Sequence, residues 1–396
     1  MSVWSSLVGQ GAAVAKLSEA AASARAIVAS RGSGRASDEA RSMSHAWLIT
    51  GPPGSGRSVA ARAFAAALQC TGATPGCGQC PGCRTTMGRT NADVLFAATE
   101  TSIINVDTAR SLVLQAQSSP SQGLWRVIVV EDADRLGESG ANALLKAIEE
   151  PPEHTVWLLC APSPEDMIAT IRSRCRHLGL RIPTATAVAD LLVREGIATP
   201  EVALEAARAA QSHIGLARAL ARDPQMRERR RSIITAPASV RSVGEAVMAA
   251  DRLLETAKAQ ADAQVSDRNA REKADLLRQL GMEESENATK ASRTMLRQLE
   301  EDQKRRSKRA LTDAIDRALI DLLAIYRDVL LVQVGGDGEL INTDLSELVH
   351  QIAHDSTPHQ TLARVDHIET ARKRLVANGN PLLVLEDMAI SLRPQA

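Results

Sequence analysis

Four of the six cysteines fall within fourteen positions, as Cys70-x6-Cys77-x2-Cys80-x2-Cys83, with Gly72, Pro75, Gly76, Gly78, Pro81 and Gly82 between them. Four soft ligands on a turn-rich segment suit Zn2+. Four thiolates close its tetrahedral shell and leave no position for water, so the spacing predicts a structural ion rather than a hydrolytic one. The metal would order a loop that cannot bury a core of its own. The bland alternative is a set of unrelated thiols, which would not need this spacing. The stretch Met1 to Ala24 is alanine-rich but interrupted by Lys16 and Glu19, with no basic stretch ahead of an apolar block, so it does not read as a secretory signal. In an intracellular chain, clustered cysteines argue for metal rather than disulfides.

A second chemistry is written in Gly51-Pro52-Pro53-Gly54-Ser55-Gly56-Arg57-Ser58. It follows the apolar run Ala46 to Thr50 and opens a helical pattern from Val59 to Leu68, the strand, glycine turn and helix that make a phosphate loop credible. Glycines let successive N–H groups and the positive helix end point at phosphates. Ser58 is placed to meet Mg2+ through its hydroxyl. Arg57 departs from the motif, which calls for lysine. An ammonium reaches between phosphates as a compact charge, whereas a guanidinium is planar and suits carboxylates. Trp125 to Val130 then leads into Glu131-Asp132, two carboxylates in the reverse of the usual Asp-Glu order. The first would position Mg2+ and the second polarise water. Placement errors near 1 Å cost on the order of 100-fold in rate, so two substitutions in one site argue against ATP hydrolysis. A glycine turn kept for folding alone is the alternative.

These residues need a scaffold. At 396 residues the chain holds two or three domains, and 44% hydrophobic with 24% charged residues is ordinary for a globular protein. Aromatics are 2%, with Tyr326, Phe64 and Phe96 the only Tyr and Phe, which leaves little for a base-stacking platform. Lys plus Arg (47) cancels Asp plus Glu (47), so no general basic field draws the chain to nucleic acid. No run approaches the length of a membrane span. Ala46 to Thr50, Val94 to Ala97, Trp125 to Val130 and Thr155 to Cys160 read as short buried strands separated by amphipathic segments, the alternation of a parallel α/β sheet. Ser30 to Ser44 reads as a mobile surface loop. After Pro183 the sequence turns helical, with one small domain ending before Pro224 or Pro237. From Asp251 to Ala310 charge is dense. The basic run Lys304, Arg305, Arg306, Lys308 and Arg309 reads as a solvated, internally paired helix rather than a nucleic-acid arm. Ala318 to Val334 reads as an amphipathic core helix carrying Asp321, Arg327 and Asp328. His45 and His154 lack metal-ligand companions and read as structural.

Taken together, Leu7-Val8-Gly9-Gln10, the glycine loop, Ala141-Asn142-Ala143-Leu144-Leu145-Lys146-Ala147-Ile148-Glu149-Glu150-Pro151-Pro152 and Ser173-Arg174-Cys175 resemble the clamp-loader branch of the AAA+ proteins. The cysteine insert points to the bacterial DNA polymerase III clamp loader. Arg57 favours the delta-prime type of subunit over the tau/gamma motors, which keep lysine. The resemblance covers residues 1 to about 222. It implies an AAA+ parallel-sheet domain at 1–182 with a zinc insert at 70–83, a small helical lid at 183–236 and an all-helical collar at 237–396. It also implies that Arg174 is a finger reaching the ATP of a neighbouring subunit, and that Arg218, in Gly215-Leu216-Ala217-Arg218, is a sensor facing nucleotide in cis. Both arginines have the alternative of being surface charges. Helix Asn142 to Pro152 reads as scaffold, with Lys146 a lesser candidate for contact with DNA. The implied setting is cytoplasmic and replisome-associated, in a hetero-pentamer with tau/gamma and delta subunits. Sliding clamp and primer–template DNA would be met mainly through the complex. The competing readings are an ATP-hydrolysing motor and a zinc-dependent nucleic-acid adaptor.

Overall fold

The computed structural model describes residues 2–30, 42–97, 104–280 and 290–393. The expected loop from Ser30 to Ser44 lies mostly outside these described residues. The chain forms two compact units, Met1–Arg218 and Ala219–Ala396.

The first unit is built on a five-stranded parallel sheet of β1 (Ala46–Thr50), β2 (Val94–Ala97), β3 (Arg126–Val130), β4 (Thr155–Ala161) and β5 (Arg176–Gly179). Their order is β2-β3-β4-β1-β5, all neighbours parallel. Side chains alternate between faces, and both faces are covered. Trp47, Ile49, Val127, Val129, Leu158 and Cys160 pack with helices Gly11–Ala29 and Arg57–Leu68. Leu48, Ile128, Val130, Trp157 and Leu159 pack with helices Val106–Ala116 and Glu138–Glu149 on the other side. That is why the central strands read as unbroken apolar runs. The expected strands are present within a residue at each end. β5 was not expected: Arg-His-Leu-Gly buries only Leu178, as an edge strand allows.

In helix Glu138–Glu149, Leu144 and Ile148 are fully buried as the scaffold reading requires, while Leu145 is half-buried and Lys146 exposed. Helices Ala185–Arg194 and Pro200–Ala209 follow β5 within the first unit.

The second unit is all helical, with Pro224–Ser239, Val243–Gln279, Lys290–Gln333, Ser346–His354, Pro358–Val376 and Pro381–Ser391 around one core. Two of its helices run 37 and 44 residues. The first buries small residues at Ala246, Ala250, Ala257 and Ala261, which lets helices approach closely without a dense apolar stripe. The charged stretch is internally paired: Arg268 with Glu272 at 2.8 Å, Arg305 with Asp302 at 2.9 Å, and Arg306 across to Glu272 at 2.8 Å. The amphipathic reading of Ala318 to Val334 needs correction. Asp321 and Asp328 are buried. Arg230 binds Asp321 at 3.0 Å and donates to Asn342 Oδ1 at 2.6 Å, while Asp328 accepts from the backbone and side-chain nitrogens of Asn342 at 2.8 and 2.9 Å. These acids stay inside because each has charged or amide donors. No helix among the described residues is long and apolar enough to cross a membrane.

Candidate functional site

The glycine loop leaves β1 at the carboxyl edge of the sheet, where parallel α/β folds present ligand sites. Gly54 (φ +89°) and Gly56 (φ +90°) take left-handed conformations that favour glycine. A Cβ on Gly54 would also stand 2.9 Å from His213 Cα, so the loop tip lies directly under the segment that enters helix Ile214–Arg222. Ser55 Oγ is buried and has no hydrogen-bond partner among the described residues. Arg57 does not reach outward from the loop. Its Nη1 donates to the Gly51 carbonyl at 2.8 Å, folding the guanidinium onto the loop's own backbone. Ser58, half-buried, opens the first turn of Arg57–Leu68.

Glu131 and Asp132 follow β3 at the same edge. Cys160, on the intervening β4, shows how near they come: burial, then the charges of Glu131 and Asp132, opposed by Arg57, push its thiol up to about 12. Glu131 is ion-paired with Arg89 at 2.5 Å. Asp132 precedes the short turn Ala133–Arg135, in which burial and the neighbouring Asp132 charge raise the Asp134 carboxyl above its ordinary range. On the phosphate-loop helix, Arg62 is half-buried. Burial and the charges of Arg89 and Arg218 lower its pKa, and only Glu131 opposes them. Arg218 therefore lies near this edge. Its guanidinium, however, is engaged by both oxygens of Glu195 at 2.8 and 2.6 Å. As arranged, the residues do not fit Mg2+-nucleotide, because Arg57 and the first carboxylate are each occupied internally.

Arg174 is not brought to this site. It lies two residues before β5, whose Arg176 is in register with Trp47 near the start of β1. That is the amino edge of the sheet, opposite the loop. There Arg174 Nε pairs with Glu149, and its Nη1 donates to Thr170 O at 2.8 Å. Both side chains of the pair are about two-fifths exposed.

The cysteine segment carries its own geometry. The four sulfurs lie within 4.8 Å of one another, and Cys70 and Cys80 Sγ are 3.9 Å apart. A tetrahedral thiolate site with metal–sulfur bonds of about 2.3 Å has sulfur–sulfur edges of about 3.8 Å, whereas a disulfide would need about 2.05 Å. The amide of Cys80 donates to Cys77 Sγ and that of Cys83 to Cys80 Sγ, each at 3.4 Å. Burial pushes the Cys80 thiol up, but the Cys83 and Thr71 donors outweigh it and bring it down to about 6. At Cys70 burial is likewise outweighed by hydrogen bonds, which lower its thiol, whereas burial pushes the Cys83 thiol up; the four sulfurs together can hold one metal ion. Close approach is built in: a Cβ at Gly72 would stand 2.7 Å from Cys77 Sγ, and one at Gly76 would stand 2.7 Å from Trp4 Nε1.

Sequence reasoning placed the loop, the carboxylates and the cysteines. It missed the pairing of Arg89 with Glu131, of Glu149 with Arg174 and of Glu195 with Arg218, and the placement of Arg62 near Glu131. Helical phase on Arg57–Leu68 could have suggested Arg62, but nothing in the sequence marks the other three.

Comparison with known proteins matches residues 35–184 to the family described as "DNA polymerase III, delta subunit". The chain is 35% identical over 165 residues to the DNA polymerase III subunit delta' of Pseudomonas aeruginosa, covering 41% of this chain and 50% of that one. It is 34% identical over 180 residues to the Escherichia coli delta' subunit, covering 44% and 54%. It is 36% identical over 162 residues to the gamma/tau subunit of Mycobacterium tuberculosis, covering 39% and 28%. The matched segments thus span about half or less of these relatives. Through this region the chain, with its parallel sheet, is similar to subunits of the DNA polymerase III clamp loader.

Proposed function

We propose that the chain is a delta-prime-type stator of a clamp-loader complex, helping to load a sliding clamp onto primed DNA and lending Arg174 to the ATPase subunit beside it. One contrast carries this reading. Arg57 and Glu131, which a working cis site would need, are engaged within the chain, while Arg174, though itself paired with Glu149, stands at the opposite edge with both partners about two-fifths exposed, where a neighbour could draw it away. A guanidinium offers fixed donors to phosphoryl oxygens. Residues 183–236 would serve as the lid and 237–396 as the collar that assembles with tau/gamma- and delta-type subunits in a hetero-pentamer. The clamp and primer–template DNA would be met through that complex, in the cytoplasm at the replisome. Cys70, Cys77, Cys80 and Cys83 would hold one structural Zn2+, the metal that four thiolates at these separations suit.

The 36% identity to a gamma/tau subunit favours a second reading, a motor that tolerates Arg57. ATP turnover by the isolated full chain separates the two. The stator reading expects none, with Ser58→Ala indistinguishable from the unaltered chain. Turnover that Ser58→Ala abolishes would establish the motor instead.

A further inference from the structure

We propose that Arg89 is a built-in counter-cation for Glu131: its guanidinium takes the place beside the strand-end carboxylate that a divalent ion would need, and so locks this site against Mg2+-nucleotide. The inference rests on reading Gly51 to Ser58 as a phosphate loop. It does not depend on Arg174 serving a neighbour.

Glu131 is only 13% exposed. A carboxylate so far from water needs a cation or several donors beside it. Arg89 supplies the cation at 2.5 Å, and it is held in place from three directions. Its backbone sits at φ +59°, in the left-handed region that few non-glycine residues occupy. Its N–H donates to Thr86 O at 3.1 Å, closing helix Pro81–Met87, which begins on Cys80 and carries Cys83 in its first turn. Its guanidinium lies 4.9 Å from the centre of the Phe96 ring, on the β2 strand adjoining β3. The arginine is thus fastened to the end of the cysteine segment and aimed at the carboxylate.

Charge around the pair reinforces the lock. Arg62 also lies near this carboxylate: burial first, then the charges of Arg89 and Arg218, lower its pKa, while Glu131 raises it. A divalent ion arriving at Glu131 would have to displace the Arg89 guanidinium from this largely buried carboxylate. In a site that keeps its first carboxylate free, metal and nucleotide enter together. Here the carboxylate is already neutralised, and Arg57 covers the loop.

The test is binding of a fluorescent ATP analogue to the isolated full chain, with Mg2+ or with EDTA. Arg57→Lys frees the loop but leaves the lock, so Mg2+ should change its affinity little. Arg57→Lys combined with Arg89→Gln should bind about tenfold more tightly with Mg2+ than without, since a charge this close to a carboxylate shifts its cation affinity by at least that much. The proposal is overturned if Arg57→Lys alone already shows that Mg2+ dependence, or if the double variant gains none while keeping its metal content and melting temperature. Should the double variant fail to fold, Arg57→Lys with Arg89→Lys decides. Lysine preserves the charge, so the lock requires Mg2+ independence, and strong Mg2+ dependence refutes it. The stator reading fails by a different sign, unchanged turnover of an assembled complex carrying Arg174→Ala.

Discussion

Replacing Arg174 with alanine tests the trans reading most directly, and the structure sets its size. An arginine supplied to a neighbour's γ-phosphate is worth about 10³ to 10⁵ in turnover. In this chain the arginine is first held by Glu149, so part of that gain is spent on releasing it. With both partners about two-fifths exposed, solvent screening limits the pair to about 0.2–1 kcal/mol, a factor of about 1.4 to 5. The pair is therefore a weak resting position rather than a trap. Arg174→Ala should lower ATP turnover at the adjoining site by at least about 10²-fold after that discount. Glu149→Gln should raise it by no more than about fivefold. Arg174→Lys should rescue poorly, because a single ammonium lacks the planar fork. The assay is steady-state phosphate release by a complex reconstituted with motor subunits, with melting of the free chain as the folding control. Losing a surface pair worth at most about 1 kcal/mol should move that melting by no more than roughly 2–4 °C. Turnover that is the same with Arg174 and with alanine refutes the reasoning.

Metal analysis of the purified chain should find about one zinc ion, the stoichiometry of a four-thiolate shell. Removing it should change Trp4 fluorescence because Trp4 packs on Gly76; a metal-free chain with unaltered emission would contradict this. Asp93 is fully buried, and burial alone would raise its pKa, yet the amides of Ser121, Gln122 and Gly123 hold it below the ordinary carboxylate range. Its contribution is therefore present above the unfolded-state pKa near 3.9 and lost as pH falls through the lower folded value. Asp93→Asn should flatten the acid limb of the stability curve, and an unchanged limb would count against it. In the second unit, Arg230→Ala leaves Asp321 buried without its guanidinium and should cost about 3–5 kcal/mol by denaturant titration. Replacing Arg230 and Asp321 together by Met and Leu should cost far less, and equal losses would refute the burial argument.

Much of the first unit was legible because its signals are local. A strand buried on both faces is a continuous apolar run, a phosphate loop is a glycine spacing, and a thiolate site is a cysteine spacing. β5 escaped because an edge strand with one buried side chain has no such run. Arg89 and Glu195 escaped for a different reason: an ion pair between residues 42 or 23 positions apart is set by tertiary approach, and a single charged residue carries no trace of it. Asp321 and Asp328 misled in the opposite sense. Helical spacing placed charges on the helix, but only the return of Arg230 and Asn342 from other segments decides that two of them face inward.

Because the arginine lies before the strands begin and the glycine turn lies where they end, a row of such molecules has a direction, each one's front meeting the next one's back. Contacts of that kind are heterologous and leave two unlike termini unless the row closes on itself. On the proposed reading, with Arg174 serving a neighbour and the glycine loop silent, the molecule would belong at one particular terminus and would be a misfit anywhere within the row.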